Sequence, residues 1–82
     1  MFERYEKVDV SDPTVRDYTM LYERGCLQSE AEQVKKYLEK EKIQSNRLGN
    51  TYFLKLTNKQ FDCIRRMRAV AGCGLVQKAY HA

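Results

Sequence analysis

The sequence predicts an α+β domain whose elements run strand, helix, strand, strand, helix, strand. Three observations carry that prediction. The stretch "RDYTMLYERG" alternates side-chain types over residues 16–25 and closes on Gly25, the period-two signature of a half-buried strand. Ser29 with Glu32, and Thr57 with Gln60, each place a hydroxyl three residues before a Glu or Gln, the spacing of a capping box at a helix start. Between these two helices, Leu48-Gly49-Asn50 divides an extended run in two, as a hairpin turn does.

Each element follows from its residues. Residues 1–15 read as an arm or a peripheral strand: "KVDV" has strand character, and "SDP" is a turn signal because proline fixes its own φ and biases its predecessor away from helix. The first strand, residues 16–25, competes with a helical reading, since Met, Leu, Glu and Arg are helix formers; its alternation favours the strand. "SEAEQVKKYLEKEKI" is a helix with Ala31, Val34 and Leu38 on one face and Tyr37 beside it. Glutamates open this helix and lysines close it, which suits the helix dipole. A short strand at 43–47 and a stronger one at 51–56 form the hairpin. "NKQFDCIRRMRAV" is the second helix, with Phe61, Ile64, Met67 and Ala71 inward. Gly72 is read as its cap and Gly74 as the opening of a last strand, "LVQKAYH".

This order resembles the ferredoxin-like βαββαβ architecture: a four-stranded antiparallel sheet with both helices on one face, here over residues 16–82. Strands 1 and 3 are expected at the centre, running parallel to each other. In strand 3, Tyr52, Leu54 and Leu56 read as core, leaving Thr51, Phe53 and Lys55 on the open face. Strand 1 has two solutions. Either Leu21 faces the helices and Tyr18, Met20 and Tyr22 lie open, or the Tyr-Met-Tyr set is core and Thr19 and Leu21 lie open. In strand 4, Leu75, Gln77 and Ala79 oppose Val76, Lys78 and Tyr80.

Composition sets the limits. At 82 residues, with a 43% hydrophobic share, one small core is expected, and dimerisation would supplement it. The sequence has no apolar run of about 18 residues to span a membrane, and the charged "MFERYEKVDV" does not read as a signal peptide. A cytoplasmic location is the expectation. Three cysteines, Cys26, Cys63 and Cys73, are an odd number and read as free thiols in a reducing compartment. The net charge is +4, but residues 1–32 hold four Lys/Arg against eight Asp/Glu, while residues 33–82 hold eleven against three. Such a charge dipole orients approach to an acidic partner.

No catalytic signature stands out. Cys26, Cys63, Cys73 and His81 lack the paired spacing of a structural zinc site, so neither a metal nor a cofactor is expected. No base is identifiable to activate a cysteine, and Gly49 stands isolated in a hairpin rather than in a phosphate loop. Acylphosphatases share the topology, but their glycine-rich loop with its arginine has no counterpart here. RNA-recognition domains also share it and stack bases on aromatics of the central strands. "GNTYFLKL" has Gly49 but not the rest of their strand-3 signature.

The expectation is therefore a non-enzymatic binding module. Its contacts would be Tyr18, Tyr22, Phe53, Lys55 and Tyr80 on the sheet, with Arg65 and Arg66 on the second helix. Tyrosine, phenylalanine and arginine are the residue types that dominate interface cores. The expected partner is a protein, either a second copy or a heterologous target. Small size and lack of motifs suggest an accessory inhibitor of viral or mobile-element type. The alternative is a single-stranded RNA- or DNA-binding domain using the sheet aromatics and the basic residues.

Overall fold

A computed structural model describes residues 7–76 of the chain. It contains β1 (Arg16–Tyr22), α1 (Gln28–Lys40), β2 (Ser45–Leu48), β3 (Thr51–Leu56), α2 (Asn58–Ile64) and β4 (Val70–Leu75). The sheet order is β2-β3-β1-β4, and every neighbouring pair is antiparallel. This is the ferredoxin-like arrangement. One expectation is corrected: β1 and β3 are central but antiparallel, with Tyr18 opposite Leu54 and Thr19 opposite Phe53. The reason is topological. A two-residue hairpin sends β3 back between β1 and β2, so it opposes both.

The hairpin turns on Gly49, whose φ is +63°. Leu48 pairs with Thr51, leaving Gly49 and Asn50 as the loop, with glycine first where a positive φ is needed. The predicted bounds of β3 match the structure, and β2 begins two residues later than expected.

The helices differ more. α1 starts at Gln28, and the Glu30 carboxylate, not Glu32, accepts from the Leu27 N–H at 3.3 Å; Ser29 lies inside the first turn. At the other end, Lys42 adopts φ +54°. The Ile43 N–H donates to the Leu38 carbonyl at 2.9 Å and the Lys42 N–H to Glu39 at 3.1 Å. That is the Schellman closure, with lysine where glycine is usual. The Thr57–Gln60 box of α2 is as predicted: the Gln60 N–H donates to Thr57 Oγ1 at 3.3 Å, and the Thr57 N–H to Gln60 Oε1 at 2.9 Å.

α2, however, ends at Ile64 rather than continuing through "RRMRAV". Tighter turns follow, with Met67 N–H to Ile64 O at 3.0 Å and Val70 N–H to Met67 O at 3.1 Å. They carry Ala69 and Val70 into the core, where both are buried. β4 therefore begins at Val70, and Gly72 and Gly74 lie inside the strand rather than serving as a helix cap and a strand opening. Ala71 is the extra residue of a bulge, since Leu21 pairs with Gly72 but Tyr22 with Val70.

The core lies between the helices and one sheet face. Met20, Val34, Leu54, Leu56 and Ile64 are its largest fully buried side chains. Tyr22, Tyr37, Phe61 and Met67 pack around them. Residues 7–15 form no regular strand; Asn58 Nδ2 donates to the Asp9 carbonyl at 3.1 Å, and Arg16 pairs with Asp12 at 3.3 Å, which ties this segment to the domain.

Candidate functional site

β1 resolves the two solutions left open by the sequence. Tyr18 is 4% exposed and Met20 fully buried, and Tyr22 packs on the same cluster. The Tyr-Met-Tyr set therefore faces the helices. Tyr18 is corrected from an open-face contact to a core residue, and Tyr22 to a half-buried residue on the helix side of the sheet. Aromatic partners explain the choice. The Tyr18 ring stacks on Phe61 with centroids 4.5 Å apart, and Tyr22 meets Tyr52 edge-on at 5.2 Å; such pairs add to simple area burial. Tyr18 also keeps a polar partner for its hydroxyl, which donates to Asn58 Oδ1 at 3.4 Å.

The open face follows from strand register, because directly paired residues share a side. Across its centre run Leu21 and Thr19 of β1 and Thr51 and Phe53 of β3. Phe53 is 37% and Leu21 44% exposed. Thr19 faces Gly74 and Leu21 faces Gly72 across β4. A Cβ built on either glycine meets nothing within 4 Å, so this part of the face is low and open. Val76 follows on the same side, its N–H donating to the Asp17 carbonyl at 2.9 Å. Near Phe53 lies a depression of about 180 Å³ lined by Asp17, Asn46, Lys55 and Val76.

Lys55 takes its predicted side, two residues from Phe53. Its Nζ donates to Asp17 Oδ1 at 2.7 Å, so the described cation of this face is already matched by a carboxylate. Arg65 and Arg66 lie elsewhere, after α2 in the helical layer. The Arg65 side chain is 9% exposed, holds Asp62 Oδ1 at 2.7 Å, and lays its guanidinium 4.9 Å over the Phe61 ring. Arg66 reaches the same carboxylate at 3.2 Å. The hydrogen bonds from Arg65, and then those from Arg66, hold Asp62 below the usual carboxylate range. Arg65 thus braces the core, and neither arginine joins Phe53 and Lys55 in one surface. Tyr80 lies outside the described residues.

Sequence reasoning left Leu21 as one of two alternatives for this face and missed Gly72, Gly74 and Asp17. The signal for Leu21 was present in the alternation, once the tyrosines are assigned to the core. The glycines carried none, because a glycine in a strand reads like a break.

Cys73 faces the core opposite Met20, and burial pushes its thiol up to about 11. Among the described residues no group of three or more His, Cys, Asp or Glu could hold a metal ion, and no helix is long and apolar enough to cross a membrane. No family model, curated protein or solved structure matches the chain.

Proposed function

We propose that the protein is a non-enzymatic binding module that engages another protein through the open face of its sheet. The observation that carries this reading is the pair Phe53 and Leu21, both part-exposed on adjacent central strands and flanked by the low surface over Gly72 and Gly74. Exposed apolar side chains on a rigid sheet, with a recess beside them, suit an interface core. Lys55 and Asp17 form a polar edge to it.

The face favours protein over single-stranded nucleic acid. A nucleic-acid platform needs cations to track phosphates, and here the described cation is neutralised by Asp17. The test is capture of partners from the native cell with wild-type chain, Phe53→Ser, Leu21→Ser and a helical-layer control, Lys59→Ala, each with and without nuclease. The proposal expects the two sheet-face variants to lose a protein that wild type and control retain, unaffected by nuclease. Light scattering in parallel reports a second copy as that partner, as a mass that falls in Phe53→Ser. Equal retention by all variants, or loss on nuclease treatment, overturns it.

A further inference from the structure

We infer a second binding site, for a nucleotide unit, running from the helix side of the sheet around its end at Arg24 and Asn50. Two pockets adjoin there and share Tyr22 and Tyr52 as walls. The first, about 310 Å³, lies between the end of α1 and the β2–β3 hairpin, against Leu38, Ile43 and Ser45, with Lys35 and Lys42 at its margin. The second, about 560 Å³, wraps the end of the sheet among Arg24, Arg47, Asn50 and Ala71 and reaches Leu21 at the margin of the open face. Both volumes fall within the range of small-ligand pockets.

The two arginines of this place differ from the other described arginines in charge pairing. Arg16, Arg65, Arg66 and Arg68 each hold a carboxylate. Arg24, Lys35, Lys42 and Arg47, the four cations of these two pockets, have no ion-pair partner among the described residues. Arg47 is instead positioned by its own surroundings: its Nε donates to the Gly49 carbonyl at 2.8 Å, and its guanidinium sits 5.6 Å over the Tyr52 ring. Glu39 lines the first pocket and Glu23 the second, leaving two cations in excess.

The two pockets divide the chemistry. The first is walled by two tyrosine rings and two aliphatic side chains, which suits a planar base; the second offers two guanidiniums, which suit phosphate oxygens. An acidic peptide would satisfy the arginines but would leave the aromatic pocket without a planar occupant. The nucleotide unit has two sources, a free mononucleotide or a single strand of DNA or RNA.

The test is nuclear magnetic resonance titration of the full chain with adenosine monophosphate, with a ten-residue single-stranded oligonucleotide and with a glutamate-rich peptide. Anisotropy with labelled oligonucleotide then compares Arg24→Ala, Arg47→Ala, Tyr52→Leu and the control Lys59→Ala. The expected result is amide shifts at residues 22–24 and 45–52, with residues 19, 53 and 74 still. Tyr52→Leu should weaken binding about tenfold. Each arginine variant should weaken it too, with a smaller salt dependence, while Lys59→Ala stays close to wild type. Binding of the mononucleotide assigns the site to free nucleotides; binding of the oligonucleotide alone assigns it to single strands. Arg24 is exposed, so its replacement keeps the test readable if Tyr52→Leu fails to fold. No binding of either nucleotide form, equal loss in Lys59→Ala, or equal binding of the acidic peptide overturns the inference.

Discussion

Tyr18 and Phe61 stack with ring centroids 4.5 Å apart and planes 19° from parallel, joining the central strand to the second helix. Arg65 adds its guanidinium 4.9 Å over the Phe61 ring. A residue type expected in interfaces is here the seam of the core. Tyr18→Ala should cost about 3–5 kcal/mol, the usual range for deleting a buried aromatic, which is near the whole stability of a domain this size. Tyr18→Phe keeps the stack and loses one long hydrogen bond, so it should cost about 1 kcal/mol or less. Urea denaturation of both variants checks this; similar losses in the two would contradict the stacking account.

Lys42 sits at φ +54° in the Schellman closure of α1, a conformation that L side chains resist and glycine accepts. Lys42→Gly should stabilise the fold by about 0.5–1 kcal/mol net of glycine's greater unfolded-state entropy, raising Tm by roughly 2–8 °C. Lys42→Val should lower it. Differential scanning calorimetry measures both.

Gly74 carries the same logic in reverse. It lies in β4 opposite Thr19 with open space where a Cβ would go, and glycine within a strand costs about 0.5–1 kcal/mol relative to alanine. Gly74→Thr should therefore raise Tm by a few degrees while weakening the sheet-face partner by crowding its approach. A variant more stable yet equally able to bind would remove the glycine floor from the proposed interface.

The alkaline limit follows from buried titratable groups. Burial raises Cys73 from 9.0 to about 11. It also raises Tyr18, Tyr22 and Tyr37, with the Cys63 thiol adding to the effect on Tyr37. Each group ionises more readily unfolded than folded, so its contribution is complete below the unfolded pKa and is lost as pH rises past it. Stability should hold to about pH 9 and fall between 9 and 11. Urea midpoints over pH 7–11 measure the decline, and Cys73→Ala should soften its first part. A flat profile would contradict the burial of these groups.

Much of this fold was legible from local chemistry. Thr57 and Gln60 marked a helix start, Gly49 marked the hairpin, and Thr51–Leu56 alternated cleanly. What escaped was set by tertiary contacts. "RRMRAV" has helix formers, but burying Ala69 and Val70 required the chain to leave the helix after Ile64. Gly72 read as a helix cap and Gly74 as a strand opening because a strand glycine has no side chain to show its periodicity. In β1 both faces offer apolar groups, and only the positions of Phe61 and Tyr52 decide that the tyrosines turn inward. The candidate site was legible in β3, through Phe53 and Lys55; its β1 and β4 members waited on that decision.

The most direct test of the sheet-face account is Phe53→Ala, measured for partner affinity and thermal unfolding on the same preparation. Because Phe53 is 37% exposed, the account predicts unfolding that stays cooperative, with a loss of stability of about 1 kcal/mol or less. It also predicts at least a tenfold loss of affinity for the captured partner, as for a central contact residue. An unchanged affinity, or a collapse of stability that makes Phe53 a core residue, would contradict it.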